Sequence, residues 1–341
     1  MSATFENLRR LYKNYGYSRY KMGKFEEYDF YTKNKQSLIS QGVLTFTDVN
    51  GKLMALKPDV TLSIIKHIRE IEGLTQKFFY DEKVYRISKN DNAFKEITQI
   101  GIEAAGYVND YVICEVLELA LKSLEIMAHG RDYVLDVSDL GILKNFIPED
   151  NSHEILNLIA AKNIDELKKF PDVNKNLIEL VKLKPDIENL EADLKNITGC
   201  KIESEKFSDI INNLKSFGRN INIDFSTVND MNYYNGIIFK GYISGIPECV
   251  LSGGQYDILI QRMGYKNSRA IGFAVYADLL NKIGTQENNY DADVLIIYDE
   301  NISVSKITAC VQKYINQNLS VCVQKIIPDN FKYRELVKLN A

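Results

Sequence analysis

Met231-Asn232-Tyr233-Tyr234-Asn235-Gly236-Ile237-Ile238-Phe239 is followed by Ser252-Gly253-Gly254-Gln255-Tyr256-Asp257 and then by Ala270-Ile271-Gly272-Phe273-Ala274. Each stretch places glycine inside or beside a short apolar run. Glycine in a strand costs stability and marks a place where another group approaches the backbone closely. Gly236, Gly253 and Gly254 would let the backbone come near a ligand. Tyr233 and Tyr234 offer flat apolar faces with hydroxyl handles, which suits a polar ring. Side chains alternate along a strand, so only one of the two is expected to face a given pocket. In a chain with 21 tyrosines such a pair alone means little. Taken singly, Gly101 and Gly236 read more simply as relief of sheet crowding; taken as an ordered set, the residues point to a pocket.

The rest of the chain supplies the frame. Phe5 to Tyr15 has helical spacing, and Asp48-Val49-Asn50-Gly51 between two short apolar runs predicts a hairpin. Val60 to Ile71 reads as a helix entered through Pro58-Asp59. Lys77 to Ile87 and Ile97 to Ala105 read as paired strands joined by the polar link Ser88 to Ala93. A long helix over Asp110 to Met127 ends near Gly130, and Tyr133 to Val137 is a strand. From about Phe146 to Phe217, Leu and Ile recur at three- and four-residue spacing among charged residues, which predicts a helical insertion. Strands follow at Ile221 to Phe225, Gly236 to Tyr242 and Cys249 to Leu251, with a helix at Ile258 to Met263. Beyond the polar link Thr285 to Asp291, a strand (Asp293 to Tyr298), a helix (Val304 to Asn316) and a strand (Ser320 to Ile326) predict a short β-α-β unit. The expected layout is an α+β core over 1–284, with the insertion at about 146–217, and a separate unit over 292–341.

Composition narrows the function. The 341 residues carry 45% hydrophobic and 26% charged side chains, with a net charge of −4. That is ordinary for a soluble globular protein and unlike the basic footprint of a dedicated nucleic-acid binder. No apolar run is long enough to span a bilayer and no signal core opens the chain, so a cytoplasmic protein is expected, with no membrane partner. The five cysteines are scattered without a CxxC spacing, and His67, His129 and His153 do not cluster. Neither a disulfide frame nor a metal site is expected.

In sequence order, these pieces resemble the histidyl-tRNA synthetase family. The tyrosine-pair strand resembles that family's histidine-recognition strand. Leu56-Lys57-Pro58-Asp59-Val60-Thr61 resembles its Arg-Pro-Glu-x-Thr loop. Tyr85-Arg86 with Phe94-Lys95-Glu96-Ile97-Thr98-Gln99-Ile100-Gly101-Ile102-Glu103 resembles its motif 2. The resemblance spans roughly Phe5 to Leu280 and implies a class II aminoacyl-tRNA synthetase-like antiparallel sheet flanked by helices. It also implies a histidine site. Glu103, Gln99 and Thr61 would meet the ligand ammonium with Asp59 nearby, Tyr233 and Tyr234 would shape the imidazole slot, and Arg86, Gly253 and Gly254 complete the set. A buried ammonium needs such acceptors.

The departures matter as much. The family carries arginine where this chain has Asn229, Gln255 and Leu279, and glycine where it has Tyr276. Cations preorganised around a developing phosphate charge supply much of adenylate formation, and one such donor is worth about 10²–10³ in rate. Only Arg86 is kept. The pattern resembles the regulatory subunits of ATP phosphoribosyltransferase, synthetase-like chains without catalysis of their own. The helical stretch Ala160 to Leu167 resembles their insertion as well. What that implies is a non-enzyme without cofactor. It binds L-histidine for feedback inhibition and activates a short catalytic subunit in the first step of histidine biosynthesis, as a homodimer within a hetero-octamer. Gly23 stands at the motif 1 proline position, and the unit over 292–341 would be the remnant of an anticodon-binding-like domain. The rival readings are a histidine–tRNA ligase or another synthetase-like protein.

Overall fold

The computed structural model describes residues 2–33, 42–87, 93–148, 150–199, 202–228, 233–280 and 290–339. The expectations that fall on Asn229, Cys200, most of the link Ser88 to Ala93 and most of the link Thr285 to Asp291 lie outside the described residues. The chain divides into two compact units, Met1–Ile283 and Gly284–Ala341.

Among the described residues of the first unit, eleven strands run in chain order: β1 (Ser18–Arg19), β2 (Phe25–Glu27), β3 (Thr45–Thr47), β4 (Leu53–Leu56), β5 (Thr75–Ile87), β6 (Phe94–Gly106), β7 (Tyr133–Asp139), β8 (Ile221–Ile223), β9 (Ile237–Ile243), β10 (Leu251–Gln255) and β11 (Arg269–Tyr276). Eight of them make one sheet in the order β1-β5-β6-β11-β10-β9-β7-β8. Its centre is antiparallel, and only the outer pairs β1–β5 and β7–β8 are parallel. β2, β4 and β3 form a small antiparallel sheet. Its β3–β4 hairpin closes over Asp48–Gly51, with Gly51 at φ +77° and the Asp48 carboxylate accepting the Asn50 and Lys52 amides at 2.8 Å. Only the glycine adopts the left-handed conformation, the three-residue hairpin form that ends in a bulge.

Period-two alternation sorts the large sheet into two faces. Phe79, Ile100, Ile102, Ala104, Phe239, Leu251, Ile271, Phe273 and Val275 share one face. They join one hydrophobic core with Val116, Leu117, Leu121 and Leu124 of the helix Asp110–Ala128. That helix is capped by the Asn109 side chain on Val112 N and ends with His129 left-handed before Gly130. The other face carries Gln99, Gly101, Glu103, Gly272, Ala274, Tyr276, Ser252, Gly254 and Lys240. One side of the sheet therefore makes the core, and the other makes a polar floor of small residues.

The insertion is helical, with α-helices at Ser152–Ala160, Ile164–Leu167, Lys175–Lys182, Leu190–Thr198 and Ile202–Asn213. Their buried Leu and Ile residues extend the main core. Two expectations are corrected. The helix read over Val60 to Ile71 is only Thr61–Ile65, because the chain turns at Lys66 and His67. The second unit is not a bare β-α-β: β12 (Ala292–Tyr298), the helix Val304–Ile315 and β13 (Val321–Gln324) are joined by β14 (Tyr333–Leu339), giving a parallel sheet β13-β12-β14. No helix among the described residues is long and apolar enough to cross a membrane.

Candidate functional site

The floor of small residues opens a cavity of about 300 Å³ in the first unit. Its floor is Gln99 and Glu103 from β6, Gly272, Ala274 and Tyr276 from β11, Ser252 from β10 and Lys240 from β9. Its walls are Asp59, Thr61, Tyr80, Arg86, Tyr233, Tyr234 and Tyr256.

Glu103 sits at the centre of the polar contacts. It is 2% exposed. Its Oε1 accepts the Thr61 hydroxyl at 2.6 Å, and its Oε2 accepts the Tyr256 hydroxyl. Burial pushes its carboxyl up to about 8 against the pull of those two hydrogen bonds. Desolvation disfavours the charged form more than two neutral donors can restore it. The carboxylate lies directly over Gly272, where a Cβ would overlap Oε2, so glycine is required there by packing rather than by conformation. Tyr256 is held from behind: its N–H donates to Ala270 O at 2.9 Å, and the Asp257 carboxylate accepts Ala270 N at 2.9 Å and Arg269 Nε at 3.1 Å.

Asp59 is the second buried carboxylate. It accepts Leu62 N at 2.9 Å, capping the short helix that begins at Thr61, and its other oxygen stands 3.8 Å from Arg86 Nη2. Burial raises its carboxyl, and Arg86 opposes the shift. Arg86 also donates Nε to Pro58 O at 2.7 Å, so it clamps the loop that carries Asp59 and Thr61.

Seven of the nine residues expected in the site, Asp59, Thr61, Arg86, Gln99, Glu103, Tyr233 and Tyr234, line this one cavity. The expectation that only one tyrosine of the pair faces it is corrected. Both do, because β9 begins at Ile237 and the pair precedes it, where strand alternation does not hold. Their rings meet at 4.6 Å and 60°. The two glycines differ. Gly254 lies on the cavity side under Tyr234, whose Cδ1 is 2.9 Å from where a Cβ would sit. Gly253 is on the opposite face against Phe239 and Phe273, and it does not line the cavity. Tyr80, Tyr256, Lys240, Ser252 and Cys249 line it without having been singled out. The sheet register that assembles them is non-local, although Ser252 and Tyr256 stood in a quoted motif.

The positions of the departures are equally informative. Tyr276 is part of the cavity floor, with its hydroxyl 3.0 Å from Ser252 Oγ. Leu279 packs on the main core. Gln255 turns away from the cavity, and its Oε1 accepts Ile237 N at 2.8 Å beside Gly236. Among the described residues no His, Cys, Asp or Glu group could hold a metal. His67 and His153 contact Ser63 and Asn157 four residues away, and His129 contacts Thr4.

A family model for histidyl-tRNA synthetase matches residues 1–280. The ATP phosphoribosyltransferase regulatory subunit of Clostridium botulinum (strain 657) is 30% identical, over 86% of this chain and 76% of its own length. This chain belongs to the ATP phosphoribosyltransferase regulatory subunits, within the histidyl-tRNA synthetase family. Its curated relatives are named as regulatory, not catalytic, subunits. The fold agrees. A regulatory subunit/histidyl-tRNA synthetase from Bacillus halodurans C superposes with a TM-score of 0.78 at 18% identity, covering 99% of this chain and 93% of that one. A chain of the ATP phosphoribosyl transferase (HisG:HisZ) complex from Thermotoga maritima superposes at 0.63 and 19% identity, covering 80% and 96%. The class II synthetase-like sheet expected from sequence is the fold of these proteins.

Proposed function

We propose that this regulatory subunit binds L-histidine in the tyrosine-walled cavity, activates a short catalytic ATP phosphoribosyltransferase subunit, and carries feedback inhibition by histidine. The observation that carries the reading is the pairing of two buried carboxylates with a tyrosine-walled slot in one cavity. Asp59 and Glu103 present acceptors for the donors of a small cationic ligand, with Gln99 and Thr61 beside them. Tyr233, Tyr234 and Tyr256 give a polar-tipped aromatic slot for an imidazole. At about 300 Å³ the cavity is at the small end of the 300–1,000 Å³ typical of ligand pockets. That is room for an amino acid. Leu279 packs against the main core and has no charge to offer a phosphate.

The partner is inferred from the relatives. The Thermotoga chain of the same fold belongs to an ATP phosphoribosyl transferase complex. Regulation then follows as linkage: histidine binds one conformation of this subunit better, that conformation holds the catalytic partner less active, and the coupling is reciprocal, about 1–3 kcal/mol. Homodimers within a hetero-octamer are the assembly this reading proposes.

Of the two rivals, retained Arg86 on the cavity wall favours a histidine–tRNA ligase. Calorimetric titration of the full chain with L-histidine, with and without ATP, together with a pyrophosphate-exchange assay, separates the ligase from the regulatory reading. The regulatory reading expects histidine binding indifferent to ATP and no exchange. Exchange activity, or histidine binding that requires ATP, overturns it.

A further inference from the structure

The cavity that would hold histidine has two cations on its lining, Arg86 and Lys240, and the second belongs to none of the motifs quoted above. An amino acid brings a carboxylate as well as an ammonium, and a carboxylate taken out of water needs a charged donor. Arg86 is turned to the loop: its Nε donates to Pro58 O at 2.7 Å, and its Nη2 faces Asp59 at 3.8 Å. That arrangement braces the 57–61 loop. Lys240 is placed differently. The register puts it beside Ser252, in the row that continues through Ala274 to Gly101, across the floor of small residues. Glu103 lies one step along the strands in the neighbouring row, over Gly272. The Lys240 ammonium donates to the carbonyl of Val228 at 3.2 Å, a neutral partner that uses one of its three N–H bonds. Asp136 is opposite it in the β7–β9 ladder, and the Asn222 amide donates to that carboxylate at 2.8 Å.

We propose that Lys240 is the cation that receives the carboxylate of the bound amino acid, so that the small-residue floor spans a carboxylate pole at Asp59 and Glu103 and an ammonium pole at Lys240. This rests on the histidine reading above and deepens it, assigning the recognition of a free α-carboxylate.

The test compares L-histidine with L-histidinol, in which the carboxylate is replaced by an uncharged CH₂OH. Both are titrated calorimetrically into the full-length wild type, Lys240→Gln, Lys240→Arg and Arg86→Gln. The expected result is that Lys240→Gln weakens L-histidine roughly 10- to 100-fold, the worth of one charge-assisted hydrogen bond, while histidinol changes little. Lys240→Arg keeps the preference for histidine, and Arg86→Gln weakens both ligands alike through the loop. If Lys240→Gln weakens both ligands equally, or neither, or if Arg86→Gln alone removes the preference, the assignment is overturned. Wild type that binds histidinol and histidine equally overturns it without touching the histidine site. Wild type that binds neither overturns the histidine reading itself.

Discussion

Replacing Glu103 with glutamine asks whether this buried carboxylate is the electrostatic centre of the site. Gln keeps an acceptor for the Thr61 hydroxyl, and the Tyr256 hydroxyl can turn to accept from the new amide, so the local packing has a way to survive. The charge does not. With a carboxyl pushed to about 8 by burial, the empty wild-type site holds its proton at pH 7. Ionising it there costs about 1.4 kcal/mol, one pH unit below its midpoint. A ligand that donates N–H groups to Glu103 needs the carboxylate and expels that proton. Histidine affinity of the wild type should therefore rise about fivefold between pH 7 and pH 8, above the imidazole's own titration range. About 0.9 proton should be released per histidine at pH 7. Calorimetry in two buffers of different ionisation enthalpy reads the proton count directly. Glu103→Gln should release none, lose the pH dependence, and bind roughly 10- to 100-fold more weakly at pH 8. Unchanged affinity in the variant, or proton uptake by the wild type, would refute the reasoning.

Two further outcomes follow from the same geometry. Because the folded-state carboxyl of Glu103 lies near 8 and its unfolded value near 4.5, the unfolded chain ionises first as pH rises. This group therefore lowers stability between those values by up to about 1.4 kcal/mol per pH unit, and denaturant melts of the ligand-free protein should show Glu103→Gln without that slope. The glycines of adjacent strands should separate packing from binding. Gly272→Ala displaces the Glu103 carboxylate and should abolish histidine binding. Gly253→Ala meets Phe239 Cζ at 2.7 Å on the core side and should cost about 1–3 kcal/mol in melts while leaving the site of the folded fraction intact. Binding retained in the first, or lost in a folded second, contradicts the assignment of faces.

Much of this was legible in the chain because the signals were local. The paired strands at 77–87 and 97–105, the long helix capped near Gly130, and the Asp48–Gly51 hairpin each follow from periodicity or turn chemistry within a few residues. Gln99 and Glu103 are four residues apart on one strand and therefore share a face. What escaped depended on neighbours distant in sequence. Gly253 looks like Gly254 until the register sets them on opposite faces. Tyr233 and Tyr234 look like strand residues until the strand is seen to begin at Ile237. Lys240 reads as an ordinary outward lysine in an apolar run, and only pairing with Ser252 and its row places it on the cavity floor. β14 sets Tyr333, Leu336, Val337 and Leu339 among Arg334, Glu335 and Lys338 without strict alternation, so its place beside β12 in a parallel sheet left no clear pattern to read.

The most direct test is reconstitution with the short catalytic subunit from the same organism, following phosphoribosyl-ATP formation as L-histidine is added. The account predicts that this chain raises the catalytic rate, that histidine suppresses the raised rate, and that Glu103→Gln still activates but needs at least tenfold more histidine for the same inhibition. Activation with histidine sensitivity identical in wild type and Glu103→Gln would place the sensor elsewhere and contradict it.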